Sequence, residues 1–136
     1  MNADLYLRQL EYFELRVENK IAEIQQLESL VMDISPHLTD TKVKSSSDPQ
    51  RAQEVLVKLI DAKDELSNEV DKLIDLETEI KRNLEKLPPL EYDILGRLYI
   101  RHQSVQQVAD QKNYTRQAIY KIKKKGLENL QKIINS

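Results

Sequence analysis

Apolar residues recur along most of this chain at intervals of three and four, and two long stretches keep that rhythm unbroken. Leu10, Phe13, Val17, Ile21, Ile24, Leu27, Val31 and Ile34 are spaced about 3.4 residues apart, nearer to a coiled-coil seam than to a broad globular face. The spacing predicts one helix over about 4–34. Glu11, Glu14, Glu18, Glu23 and Glu28 lie largely off the seam. Ser35-Pro36 is expected to end it, because a residue before proline avoids the α region. Residues 35–48, SPHLTDTKVKSSSD, show no period and read as a hairpin tip. Asp48 then suits an N-cap and Pro49 a first helical position. From there Ala52, Val55, Leu59, Ala62, Leu66, Val70, Leu73, Leu76, Ile80, Leu84 and Leu87 recur every three or four residues. They predict a second helix over about 49–87. At 1.5 Å rise per residue each helix would be roughly 45–55 Å long. A lone helix with such a stripe is unstable in water, so the two seams are expected to pack as an antiparallel hairpin. Leu30, Leu56, Ile60 and Ile74 lie beside the seam and leave apolar surface over, which predicts a homodimer through this N-terminal hairpin.

Leu87-Pro88-Pro89 stops the pattern, since two prolines end a helix and stiffen the joint after it. The chain is therefore divided into residues 1–87, a helical hairpin for oligomerisation, and 88–136, a small domain. Leu90, Ile94, Leu95 and Leu98 predict a helix over 90–102, with Tyr92 and Tyr99 expected in the core. His102 falls at that helix's C-terminus, where partial positive charge is favoured.

The stretch 104–127, SVQQVADQKNYTRQAIYKIKKKGL, reads as a helix-turn-helix. Ser104 and Gln107 form a capping-box pair. Val105, Val108 and Ala109 give a short apolar face. Asn113-Tyr114 breaks the period, and Asn is the residue besides Gly best able to sit at positive φ. Thr115 is a good N-cap for the next helix. Ile119, Ile122, Gly126 and Leu130 form its buried stripe. The outer face then carries Arg116, Gln117, Tyr120 and Lys121, types that contact base edges, with Thr115, Lys123, Lys124 and Lys125 placed for phosphates.

Composition narrows the class. Among 136 residues there are 2 Gly and 4 Pro, and charged residues make up 32%, as expected of an all-α chain with long helices. Without cysteine there is neither a disulfide framework nor a thiolate metal site, and a reducing cytoplasm is compatible. No apolar run approaches the length of about 20 that a membrane span needs. The net charge of −2 conceals a division. Residues 1–89 carry 12 Lys+Arg against 19 Asp+Glu, and residues 90–136 carry 9 against 4. Only the back of the chain is thus expected to meet a polyanion. Two isolated His and no Cys assemble no nucleophile–base–orienter cluster, and neither Gly belongs to a phosphate loop. The sequence therefore predicts no catalysis, no metal site and no cofactor, and double-stranded DNA as the partner.

The segment LPPLEYDILGRLYIRHQSVQQVADQKNYTRQAIYKIKKKGLENL resembles the promoter-reading region 4 of sigma-70-class sigma factors. The order is shared: Leu-Pro, an acidic helix with a Leu-Tyr ending, a Ser-started support helix, a turn, and a recognition helix ending in Gly-Leu-x-x-Leu. With an acidic helical segment in front, the chain is similar to phage-encoded transcriptional regulators of the ArpU type, found in prophages of Gram-positive bacteria. The resemblance implies that Thr115 caps the recognition helix and that Arg116, Gln117 and Lys121 occupy base-contacting positions. It makes RNA polymerase a candidate partner. Three positions depart from the sigma pattern: Lys112 stands for an apolar residue, Asn113 for the turn Gly, and Ala118 for a polar residue near the groove. Nothing matches the sigma region that melts DNA, so an accessory regulator is expected rather than an independent sigma factor. Two other readings fit the same elements: a phage DNA-packaging recognition subunit, and a coiled-coil adaptor with a basic tail.

Overall fold

The computed structural model describes residues 2–39 and 49–136, with side chains at 2–33 and 49–136. The described residues form five α-helices and no strand: α1 (Ala3–Thr39), α2 (Pro49–Leu84), α3 (Pro89–Leu95), α4 (Val105–Lys112) and α5 (Arg116–Asn135). The fold is all-α, as the periodicity predicts. Pro49 opens α2 as expected, while Asp48 and residues 40–48 of the expected loop lie outside the described residues. α1 runs past Ser35-Pro36 to Thr39, against the expected stop. The restriction on a residue before proline is a bias rather than a prohibition, and a helix can carry a proline near its end.

The helices group into two compact units, one of residues 13–72 and one of residues 2–12 with 73–136. In the former, α1 and α2 are antiparallel: Arg16 pairs with Glu69 and Lys20 with Glu65, one number rising as the other falls. Ile24, Ala52, Val55 and Ala62 are buried, and Val17, Leu27, Leu59 and Leu66 are half-buried, as the seam predicts. Ile21, expected in the seam, is 41% exposed. The Arg16–Glu69 pair is a two-pronged fork, with N–O distances of 2.6 and 3.0 Å. That guanidinium holds the Glu69 carboxyl below its usual range. Leu30, Leu56 and Ile60 lie on the surface, as the sequence predicts, and so do Leu15, Met32 and Val57.

The other unit has two apolar clusters. The larger takes Ala3, Tyr6, Leu7 and Leu10 from α1, Ile80 and Leu84 from α2, then Leu87, Leu95 and Leu130. The smaller joins Ile94, Val108, Ala109 and Ile119. The joint at Leu87-Pro88-Pro89 is thus a break between helices, and the packing does not divide there. The physical reason is area. Short helices of 7 and 8 residues cannot cover both Ile94 and Leu95, which point to opposite clusters, so α1 and α2 cover the second side. Each such burial contributes roughly 1.5–3 kcal/mol. Polar contacts fix the register. The Ala3 N–H donates to Gln131 Oε1 at 2.7 Å, and the Tyr99 hydroxyl donates to Asp4. The Tyr6 hydroxyl donates to Glu79 and accepts from Asn83, each at 2.8 Å. Desolvation, then the Glu79 bond, pushes the Tyr6 phenol up to about 12.

Two readings of the segment 90–102 are corrected. The expected regular helix over 90–102 widens at Gly96–Ile100 into a π-type turn, with the Arg101 N–H bonded to the Gly96 carbonyl five residues back. Tyr92 is 45% exposed, not in the core, whereas Tyr99 packs against the larger cluster. His102 sits beyond the helix end at φ 56°.

Candidate nucleic-acid interface

The helix pair α4–α5 is built by local chemistry that the sequence announces. Ser104 Oγ accepts from the Gln107 N–H at 3.1 Å, and Gln107 Oε1 accepts from the Ser104 N–H at 2.8 Å. The capping box is complete, and both donors it satisfies would otherwise have no partner at a helix start. Asn113 ends α4 at φ 58°, ψ 40°, in the left-handed region. Thr115 then caps α5, its Oγ1 accepting from the Ala118 N–H at 3.0 Å.

Burial sets the orientation of α5. Ile119, Gly126 and Leu130 are buried and Ile122 is half-buried against the smaller cluster. Gly126 lets α3 approach: a Cβ there would come within 3.1 Å of Leu95 Cδ1 and 3.3 Å of Glu91 Cβ. Opposite this stripe, Arg116, Gln117, Tyr120, Lys121, Lys124 and Lys125 are all exposed, Tyr120 by 54%. At about 100° per residue, Arg116, Tyr120, Lys124, Gln117 and Lys121 share an arc of roughly 140°. Lys123 stands apart. It is half-buried, with Nζ 5.8 Å from the centre of the Tyr99 ring, so it faces the π-type turn and not the arc. Thr115 commits its oxygen to the cap, and its hydroxyl proton remains as a donor.

The support behind this face is ionic. Lys112 lies 2.8 Å from Asp93 Oδ2. Arg97 Nε lies 2.9 Å from Asp93 Oδ1, and Arg97 Nη1 donates to Gln111 at 2.7 Å. Burial pushes the Asp93 carboxyl up, but the hydrogen bonds from Lys112 and Arg97 outweigh it and hold the group below the usual carboxylate value. A half-buried salt link thus ties the end of α4 to α3.

Sequence reasoning missed Gln106. Its Oε1 lies 3.4 Å from Arg116 Nη1, and its Nε2 donates to Asp110 Oδ1 at 2.8 Å. The Gln106–Asp110 spacing of i, i+4 is a readable signal, whereas the link to Arg116 depends on the turn. Among the described residues no group of three or more His, Cys, Asp and Glu could hold a metal ion, and no helix is long and apolar enough to cross a membrane.

Comparison with curated proteins and with solved structures returns no match. A family model described as "Protein of unknown function (DUF1492)" matches residues 32–131, which takes in the end of α1, all of α2, α3 and α4, and most of α5. The chain belongs to that family.

Proposed function

We propose that this protein is a sequence-specific, double-stranded-DNA-binding regulator of transcription, without catalytic activity, acting in the cytoplasm and encoded by a prophage. The observation that carries the reading is the outer arc of α5. Arg116, Gln117, Tyr120 and Lys121 are exposed together near its N-terminal end, directly after a capped turn. In helix-turn-helix docking that end enters the major groove. Arg can pair bidentately with guanine and Gln with adenine. Lys124 and Lys125 continue the exposed face toward phosphates, with Thr115 at its start. The likeness to sigma region 4 and to ArpU-type regulators supports the same reading, and it makes RNA polymerase a candidate partner.

The protein is further proposed to be a homodimer through the hairpin. Leu56, Val57 and Ile60 are each more than 40% exposed, and apolar residues concentrated on one helix are the usual mark of an interface. Two copies would place two recognition helices on two half-sites. The experiment is binding of wild type and variants to specific and random duplexes across a salt series. Arg116→Ala or Gln117→Ala should lose preference for the specific site and keep non-specific binding. Lys124→Ala should weaken binding to all duplexes and lower the salt slope by about 1. A uniform loss in all three variants would refute base reading. Sedimentation at high micromolar concentration tests assembly, and a monomer there would overturn the dimer.

A further inference from the structure

Arg116 is exposed, and a long charged side chain at a surface ordinarily samples many rotamers. Here it meets a relay. Asp110 accepts from Gln106 Nε2 at 2.8 Å, and Gln106 Oε1 faces Arg116 Nη1 at 3.4 Å. A carboxamide has one donor end and one acceptor end. With its NH2 committed to Asp110, Gln106 can turn only its oxygen toward the guanidinium. Asp110, one helical turn along α4, therefore anchors the amide with its oxygen toward Arg116, which as a pure donor can use only that end.

The outer bond is long for an N–H to O contact, and all three side chains are exposed. Its contribution to stability is accordingly small, and its effect falls on the direction of the guanidinium. Engaging Nη1 leaves the edge formed by Nε and Nη2, which is itself a two-donor fork. Resting on the reading of α5 as a DNA-reading helix, we infer that Gln106 and Asp110 are positioning residues for Arg116. They hold its remaining fork toward the groove, so that base discrimination depends on two side chains of the support helix that touch no base.

The test uses the intact chain. Duplexes are selected from a randomised pool by the wild type. The ratio of affinities for the selected duplex and a random duplex of equal length is then measured for each variant, with thermal unfolding beside it. Arg116→Ala should cut the ratio by about 10- to 100-fold. Gln106→Ala should cut it by about 3- to 10-fold, with the melting temperature unchanged. The double variant should lose no more than Arg116→Ala alone, because the pair acts as one unit. Asp110→Ala and Asp110→Asn remove the same charge, but only Asn keeps an acceptor for Gln106. The Asn variant should therefore retain the wild-type ratio and the Ala variant should match Gln106→Ala. Additive losses for Gln106→Ala and Arg116→Ala, or equal ratios for the two Asp110 variants, would overturn the relay and leave DNA reading standing. A pool that yields no enriched sequence would overturn both.

Discussion

Asn113 holds φ 58° at the turn between α4 and α5, a conformation that costs most L-residues roughly 1–2 kcal/mol. Replacing it by Ala should lower stability by about 1 kcal/mol, while Gly should be tolerated, as urea unfolding would report. Of the two glycines, only Gly96 follows a simple propensity argument. Gly96 has helical dihedrals and nothing within 4 Å of a built Cβ, so Gly96→Ala should stabilise by about 0.5–1 kcal/mol. At Gly126 the added methyl meets Leu95, which is fully buried and has little room to yield. Gly126→Ala should therefore destabilise by about 1 kcal/mol or more despite its helix preference. At this scale the sequence was informative where a residue acts through its own backbone. Asn113, Ser104, Gln107 and Thr115 each behave as their chemistry dictates. It was silent where a residue acts through a distant neighbour, as Gln106 does on Arg116 and Lys112 on Asp93.

At the scale of elements, the seam of α2 was legible almost residue by residue, because a sustained 3.5 period admits one buried side. The widening at Gly96–Ile100 was not, since a single extra residue in a turn leaves the apolar spacing nearly unchanged. Tyr92 was misplaced for a related reason: an aromatic in a short amphipathic helix can lie at the edge of the apolar face as easily as in it. The attachment of α4 to α3 yields a test with pH. The Asp93 carboxyl is held below its ordinary value of 3.8 in the folded chain. Its contribution is therefore fully present above about pH 4 and is lost as pH falls through the depressed folded value. Asp93→Asn should lose about 1 kcal/mol at pH 7, and its stability should fall less steeply than the wild type's below about pH 4. Parallel acid limbs in urea titrations would count against the Asp93 network.

For the whole molecule, the sequence placed a boundary at the two prolines, and the packing crosses it. Leu95 and Leu130 lie in one cluster with Leu7, Leu10, Ile80 and Leu84, a relation between positions more than a hundred residues apart that no local period can encode. A fragment of residues 88–136 would expose that side of its core. It is expected to keep helix but lose fixed side-chain packing, with dye binding to exposed apolar surface and a broad melt. A sharp, cooperative transition in the fragment would show that its smaller cluster suffices alone.

The bond from the Ala3 N–H to Gln131 joins residues 128 positions apart. In a growing nascent chain, Leu7 and Leu10 leave the ribosome long before Leu130 is made. At about 5–20 residues per second, synthesis from Leu7 to Leu130 takes roughly 6–25 s, far longer than a helix takes to form. During it, α1 carries an uncovered apolar end beside the partners available in α2, and closure must wait for α5. Such non-local closure slows folding even in a helical protein. A ribosome paused before Leu130 would therefore hold a chain whose C-terminal core cannot close, available to chaperones and proteases until synthesis resumes.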